Sequence, residues 1–219
     1  MNITSIRSRL TGWLNPFIKL FIKIGITPNQ LTYLSFICGI GAGVCFFAKS
    51  YILGLILLAI SGGLDLIDGS VARETDNKSG FGAIADWISD KYIDGFVILS
   101  IGVSGIPIIS QFTNLPEFAD LAVVAIAALG SIMNTFIKPV TYSEVGYETK
   151  VDGKISDPLE NVGFFGRPET IITLMAGALF NVMWLSVIII AVCTNISLIQ
   201  RVRFVYKKYG NKNKKIKNN

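Results

Sequence analysis

The sequence predicts an all-α integral membrane protein with six transmembrane helices and an N-terminal amphipathic helix in the membrane interface. Hydrophobic residues make up 51% of the 219 residues and charged residues only 16%, and the mean hydropathy is +0.55. This composition is too apolar for an ordinary soluble domain. The apolar residues are also gathered into stretches, several of them near the ~20 residues that a helix needs to cross the hydrocarbon.

The first predicted element covers residues 4–24. Arg7, Arg9, Lys19 and Lys23 supply its charge, and its apolar residues recur at helical spacing. This pattern is typical of a helix that lies in the interface; a core-facing amphipathic helix is the alternative. The apolar residues of the pattern are Leu10, Trp13, Leu14, Phe17, Ile18 and Phe21.

Six apolar stretches follow the N-terminal element. Thr27 and Gln30 form a capping box with Pro28 at the first helical position, so the first span should begin there. The segment from Asn181 to Trp184 offers only a minimal turn between the last two spans. We predict spans over residues 29–49, 52–74, 80–105, 118–139, 168–183 and 185–204.

The basic residues indicate the orientation of the protein. With both termini in the cytoplasm, every Lys and Arg except Lys49 falls at or near the inner side, as the positive-inside rule requires. The segment from Arg201 to Asn219 carries basic residues and no acid, which favours anionic membrane lipids over nucleic acid as its partner. We therefore predict a multi-pass protein of the cell membrane. Its three segments are an interfacial helix over 1–27, a transmembrane domain over 28–204 and a basic cytoplasmic tail over 205–219.

Four aspartates lie inside these membrane stretches. Asp65 and Asp68 come near the end of the second span, and Asp86 and Asp90 come near the start of the third. Carboxylates in such places are costly and usually mark function. If the two helices face each other, four anions meet at one point, and divalent cations are needed to offset their repulsion. At helical spacing, the small residues that share these faces are Gly69, Ala72 and Gly82.

The available ligand types narrow the choice of metal. The chain has no histidine, and Cys38, Cys45 and Cys193 are scattered through apolar segments. Carboxylate sites suit Mg²⁺, Mn²⁺ or Ca²⁺, and Mg²⁺ typically shares its coordination with substrate phosphates. Without histidine, a carboxylate is also the natural general base.

The spacing of the aspartates resembles the pattern of a known family. The run Asp65-x2-Asp68-Gly69-x2-Ala72-Arg73-x8-Gly82-x3-Asp86-x3-Asp90 is similar to that of the CDP-alcohol phosphotransferases, integral membrane enzymes of phospholipid synthesis. The segment from Gly25 to Thr32 also resembles the segment that these enzymes carry before their first membrane helix.

The resemblance implies a group transfer. A phosphatidyl or archaetidyl group would pass from a CDP-linked lipid to the hydroxyl of a polar acceptor, and CMP would be released. Asp65, Asp68, Asp86 and Asp90 would bind two Mg²⁺ ions, or Mn²⁺ in their place, and Asp90 would be the catalytic base. The family also implies a homodimer. The residues implied in binding the CDP donor are Asp68, Gly69, Ala72, Arg73 and Gly82.

Two basic residues bear on the acceptor. Lys138 and Arg167 stand at the inner ends of the fourth and fifth predicted spans, where cations could hold a phosphorylated acceptor; snorkelling cations at helix ends are the alternative. The run from Gly166 to Glu169 resembles the inositol-phosphate branch of the family. We therefore predict inositol phosphate as the acceptor, with glycerol phosphate or serine as alternatives.

Two interpretations from other classes stay open. A cation transporter also uses intramembrane aspartates, but its binding helices should break near the midplane. A catalytically silent scaffold would not need all four carboxylates. Two further aspartates lie outside the pattern: Asp94 is interpreted as a supporting or packing residue, and Asp120 as an interfacial one.

Overall fold

The structure is a computed structural model in which residues 7–77, 79–145, 150–151, 154–155, 159 and 162–210 are described. Residues 1–6 of the predicted interfacial segment and residues 211–219 of the predicted tail lie outside this part of the chain, as does Lys78.

Helices make up most of the described chain, so the all-α prediction is confirmed. Two strands of two residues each form a short antiparallel hairpin, in which Lys150 pairs with Ile155. The elements are α1 (Arg7–Ile24), α2 (Pro28–Phe47), α3 (Tyr51–Glu74), α4 (Gly80–Val103), α5 (Phe118–Val145), β1 (Lys150–Val151), β2 (Lys154–Ile155), α6 (Arg167–Leu179) and α7 (Met183–Tyr209).

The predicted capping box opens α2. The Thr27 N–H donates to Gln30 Oε1 at 2.9 Å, and the Gln30 N–H donates to Thr27 Oγ1 at 3.3 Å. The predicted break between the last two helices is also present. Asn181 there adopts a left-handed conformation with φ 57°, which asparagine tolerates better than most residues.

Four of the described helices, α2, α3, α5 and α7, are long and apolar enough to cross a membrane. The protein is therefore a multi-pass membrane protein. Helix α4 is long enough, but Asp86, Asp90, Lys91 and Asp94 concentrate charge in its first two thirds. Helix α6 has 13 residues, a length of about 20 Å, which is short of the ~30 Å hydrocarbon thickness.

Helix α5 extends further than predicted. It continues through Pro139 to Val145, so Lys138 lies within a helix rather than at its end. A proline is tolerated inside membrane helices because neighbouring groups satisfy the backbone atoms that it leaves unpaired.

Helix α1 has two different faces. Ile18 is only 2% exposed and packs with Leu64 and Val71 of α3. On the other face, Trp13 is 86% and Phe17 53% exposed. The helix thus packs on the bundle and still presents an apolar, aromatic surface.

The bundle separates an apolar end from a polar end. Helix α2 packs on α3 and α4, α5 on α4 and α7, and α6 on α3 and α7. The largest core cluster includes Phe46 near the end of α2, Ile98 and Ile101 near the end of α4, and Ile190 of α7. At the other end lie the starts of α2, α4 and α6 and the ends of α3, α5 and α7.

Candidate active site

Three of the four predicted aspartates converge at the polar end. Asp65 and Asp68 of α3 and Asp86 of α4 each offer one carboxylate oxygen, and these atoms lie within 4.8 Å of one another. Helices α3 and α4 pack against α2 far more than against each other, so the carboxylates meet across a gap between them. Asp90 joins this group through an arginine.

Asp68 is held by a hydroxyl group from α2. Its carboxylate is buried, and Thr32 Oγ1 donates to Asp68 Oδ2 at 2.6 Å. The aspartate spacing does not predict this contact, because Thr32 is 36 positions away in sequence. The signal that could have found it is the Gly25 to Thr32 segment, which ends on this residue.

The environment of Asp86 favours a bound cation in this cluster. Its Oδ1 is buried without a hydrogen-bond partner among the described residues. A buried carboxylate oxygen without a donor is costly, and a cation bound among the three carboxylates would remove that cost. Because every nearby ligand atom is an oxygen, the site suits Mg²⁺ or Mn²⁺ better than zinc or copper.

Arg167 lies inside the carboxylate cluster. Its Nη1 is 2.8 Å from Asp65 Oδ2, its Nη2 is 2.8 Å from Asp90 Oδ1, and its Nε is 3.4 Å from Asp94 Oδ1. Each nitrogen of the planar guanidinium therefore faces a different carboxylate. The sequence predicts that Arg167 lies at a helix end. The structure shows that this end faces Asp65, Asp90 and Asp94.

Asp94 is the most deeply buried of these three partners. Its side chain is 4% exposed, against 18% for Asp90. Asp94 Oδ2 has no hydrogen-bond partner among the described residues. The contact with Arg167 agrees with the interpretation of Asp94 as a supporting residue.

The start of α6, which carries Arg167, is held in place by two other helices. Asn134 Nδ2 of α5 donates to the Phe165 carbonyl at 2.7 Å, and the Phe165 N–H donates to Ser197 Oγ of α7 at 2.9 Å. The Gly166 N–H donates to Glu169 Oε2 at 2.8 Å. The backbone next to Arg167 is thus fixed on both sides.

Arg201 also holds the segment before α6. The prediction that it lies at the lipid surface is therefore wrong. Arg201 is only 2% exposed. Its Nε donates to the Val162 carbonyl at 2.9 Å, and its Nη1 donates to the Asn134 carbonyl. Counting charges near the C-terminus could not show this, because the carbonyl partners come from distant parts of the chain.

Arg73 and Gly69 form a separate patch on α3. The Arg73 side chain is exposed, and its Nη2 donates to Ser70 Oγ at 2.9 Å. Its Nη1 lies 3.4 Å from the position that a Cβ on Gly69 would take, so the side chain folds back over this glycine. Ala72 beside it is half-buried.

Gly82 lies where α2 approaches α4. A Cβ there would lie 3.0 Å from Asn29 Oδ1 and 2.9 Å from Ser79 Oγ. Ser79 Oγ accepts from the Gly82 N–H at 2.9 Å. A small residue is needed at position 82 for this packing alone.

The remaining two residues, Lys138 and Asp120, both lie on α5. Lys138 is half-buried within α5. Asp120 is buried near the start of α5, at the opposite end of the bundle. It accepts from the backbone N–H groups of Ile109 and Ser110 at 2.7 and 3.0 Å, so it holds the connection between α4 and α5.

Known proteins resemble this chain in both sequence and fold. Archaetidylinositol phosphate synthase of Pyrococcus horikoshii is 30% identical over 200 residues, which cover 91% of this chain and 94% of that protein. The enzyme of the same name from Methanothermobacter thermautotrophicus is 26% identical over 214 residues, covering 93% and 97%. The crystal structure of Mycobacterium tuberculosis phosphatidylinositol phosphate synthase with CDP-DAG bound has a TM-score of 0.67 at 21% identity, and the match covers 87% of this chain and 92% of that one.

The family profile described as CDP-alcohol phosphatidyltransferase matches residues 25–193. This range includes all four signature aspartates as well as Arg167. The chain belongs to the CDP-alcohol phosphatidyltransferase family.

Proposed function

We propose that the protein transfers a phosphatidyl or archaetidyl group from a CDP-linked lipid to inositol phosphate and releases CMP. The observation that carries this proposal is Arg167, whose guanidinium lies among the family's carboxylates with one edge 2.8 Å from Asp90. A guanidinium that can donate two hydrogen bonds to a phosphate, placed beside the general base, suits an acceptor that carries both a phosphate and a hydroxyl. Two relatives that match nearly the whole chain are named archaetidylinositol phosphate synthases.

Asp65, Asp68, Asp86 and Asp90 are proposed to hold two divalent cations, Mg²⁺ or Mn²⁺. Two facts support this assignment: the 4.8 Å grouping of three of these carboxylates and the unpartnered Asp86 oxygen. The single charge of Arg167 cannot offset so many carboxylates by itself. When bound, such cations neutralise the donor's diphosphate and stabilise the charge that develops on the leaving CMP.

Asp90 is proposed as the general base. The acceptor's hydroxyl oxygen attacks the phosphorus next to the lipid, the bond from that phosphorus to the bridging oxygen breaks, and CMP leaves. The hydroxyl proton passes to the Asp90 carboxylate. Arg167, with Lys138, is proposed to bind the acceptor's phosphate and so to orient its hydroxyl.

The donor's nucleotide is proposed to lie along the small residues of both helices. Gly69, Ala72 and Gly82 are proposed to let the nucleotide approach the two helices closely, and the exposed Arg73 side chain is proposed to contact a donor phosphate. Asp68 lies on the same face of α3.

The membrane arrangement is proposed to include α4 and α6, which makes six spans with both termini in the cytoplasm. The exposed Trp13 and Phe17 support α1 as an interfacial helix. The division into residues 1–27, 28–204 and 205–219 stays a prediction, and helix α7 continues past the last of these boundaries to Tyr209. The homodimer remains a prediction from the family.

The direct test is CMP release by purified protein with Mg²⁺ and CDP-diacylglycerol or CDP-archaeol. The acceptor panel is inositol phosphate, glycerol phosphate, serine and inositol. We expect release that depends on inositol phosphate, and we expect Asp90→Asn to lower it by about 10²- to 10⁴-fold. Asp120→Asn is the matched control, because this buried aspartate lies at the other end of the bundle. Release with glycerol phosphate, serine or inositol but not with inositol phosphate would contradict the proposal.

A second test concerns the phosphate contact. Arg167→Ala and Lys138→Ala should reduce the use of phosphorylated acceptors more than the use of unphosphorylated ones, because only the former lose a charge-assisted bond. Equal losses with both kinds of acceptor would argue against a phosphate site at these residues.

A further inference from the structure

Arg167 has three carboxylate partners, and the proposed function needs two of them for other tasks. Asp65 is assigned to a cation. Asp90 must accept a proton from the acceptor, which it cannot do well while it receives a hydrogen bond from Arg167 at 2.8 Å. The two terminal nitrogens of Arg167 must therefore exchange these carboxylates for the acceptor's phosphate.

Asp94 is the partner that has no other task. It lies one helical turn beyond Asp90 on α4, outside the family's pattern of aspartates. It faces Nε, the nitrogen nearest the side-chain stem, and not the two terminal nitrogens that would receive the acceptor. Its 4% exposure keeps water from competing for the contact.

Resting on the proposed function, we propose that Asp94 is the positioning residue that keeps Arg167 in the site while its other two carboxylates are exchanged for the acceptor's phosphate. It does not touch either substrate. It holds the Nε atom of the guanidinium and thereby aims the two terminal nitrogens at the phosphate.

A specific kinetic pattern follows from this role. Without the Asp94 charge, Arg167 loses its fixed anchor, and the acceptor's phosphate must order the side chain when it binds. Losing one charge-assisted contact of this kind should weaken acceptor binding by about 10- to 100-fold. Because the donor is held through other residues, its KM should change by no more than about twofold.

The test compares Asp94→Asn with the wild type in detergent micelles at saturating Mg²⁺. The KM for inositol phosphate should rise at least about tenfold, with kcat and the KM for the CDP-lipid much less changed. Isothermal titration with inositol phosphate and Mg²⁺, without donor, should show the same loss of affinity. Asp120→Asn, which replaces another buried aspartate, should leave both KM values unchanged.

A second variant covers the case in which Asp94→Asn does not fold. Asp94→Glu keeps the charge but displaces it by one methylene group, so its KM for inositol phosphate should lie between those of the wild type and the Asn variant. A folded Asp94 variant with an unchanged acceptor KM, or with both KM values raised alike, would overturn the inference. If the wild type itself does not use inositol phosphate, the proposed function fails, and that failure is seen before any Asp94 variant is made.

Discussion

The Thr32 hydroxyl shows how a single residue outside the aspartate pattern contributes to the site. It comes from the first turns of α2 and donates to Asp68 Oδ2 at 2.6 Å. A hydrogen bond to a carboxylate fixes which oxygen remains available to a cation and in which direction it points. Thr32 therefore links the start of α2 to the proposed cation site.

Thr32→Val should weaken cation binding. The methyl group that replaces the hydroxyl keeps the shape, but Asp68 loses its donor, and we expect about tenfold lower affinity, at the low end of what such supporting contacts contribute. Titration with Mn²⁺ followed by electron paramagnetic resonance would measure this. Thr32→Ser retains the hydroxyl and should bind Mn²⁺ within about twofold of the wild type; equal losses in both variants would show that the hydrogen bond is not the cause.

At the level of elements, the short helix α6 depends on α5 and α7. Phe165, just before its start, is held by Asn134 and Ser197. The buried Arg201 donates to the carbonyl groups of Val162 and Asn134. A helix of 13 residues gains little stability by itself. Its neighbours therefore set the direction in which Arg167 points.

Arg201→Gln should destabilise the protein. The shorter side chain leaves buried carbonyl groups without a donor, which costs about 2 to 3 kcal/mol in the free energy of unfolding. For a chain of this size we expect the melting temperature to fall by about 4 to 12 °C. Thermal unfolding in detergent would measure the change.

Arg203→Gln provides the matched control, because it removes the same charge from the same helix at an exposed position. Its melting temperature should stay within about 2 °C of that of the wild type. If the two variants lost equal stability, the loss would come from the charge of α7 and not from the buried contacts.

At the level of the whole molecule, the polar end of the bundle is proposed to face the cytoplasm. If α4 crosses the membrane, the short α6 must cross it too, since otherwise the start of α2 and the end of α7 would lie on opposite sides. Positions in three exposed segments, Asp76, Glu117 and Lys208, distinguish the two arrangements.

Single cysteines at these positions test the six-span topology. Cys38, Cys45 and Cys193 are first replaced by serine, and right-side-out vesicles are treated with a membrane-impermeant maleimide. Glu117→Cys should be labelled, whereas Asp76→Cys and Lys208→Cys should react only in inverted vesicles. Labelling of Lys208→Cys from the outside would mean that α6 does not cross, which would contradict the six-span proposal.

Features that depend on neighbouring residues could be predicted well from the sequence. The helix positions follow from runs of apolar residues, and the start of α2 follows from a capping box within four residues. The convergence of Asp65, Asp68 and Asp86 also follows from helical spacing, once α3 and α4 are assumed to approach each other. The extension of α5 past Pro139 could not be predicted, since it depends on the surroundings of the helix.

The sequence by itself determined the helical membrane class, the aspartate pattern and the family, because hydropathy, helical periodicity and fixed spacing are local properties. Only the tertiary structure decided that Arg167 lies between Asp65 and Asp94, which are 102 and 73 positions away. It also decided that Arg201 is buried rather than at the lipid surface. The physical reason is that a charged side chain near a helix end can reach either water or a buried partner, and the choice depends on which other helices pack beside it.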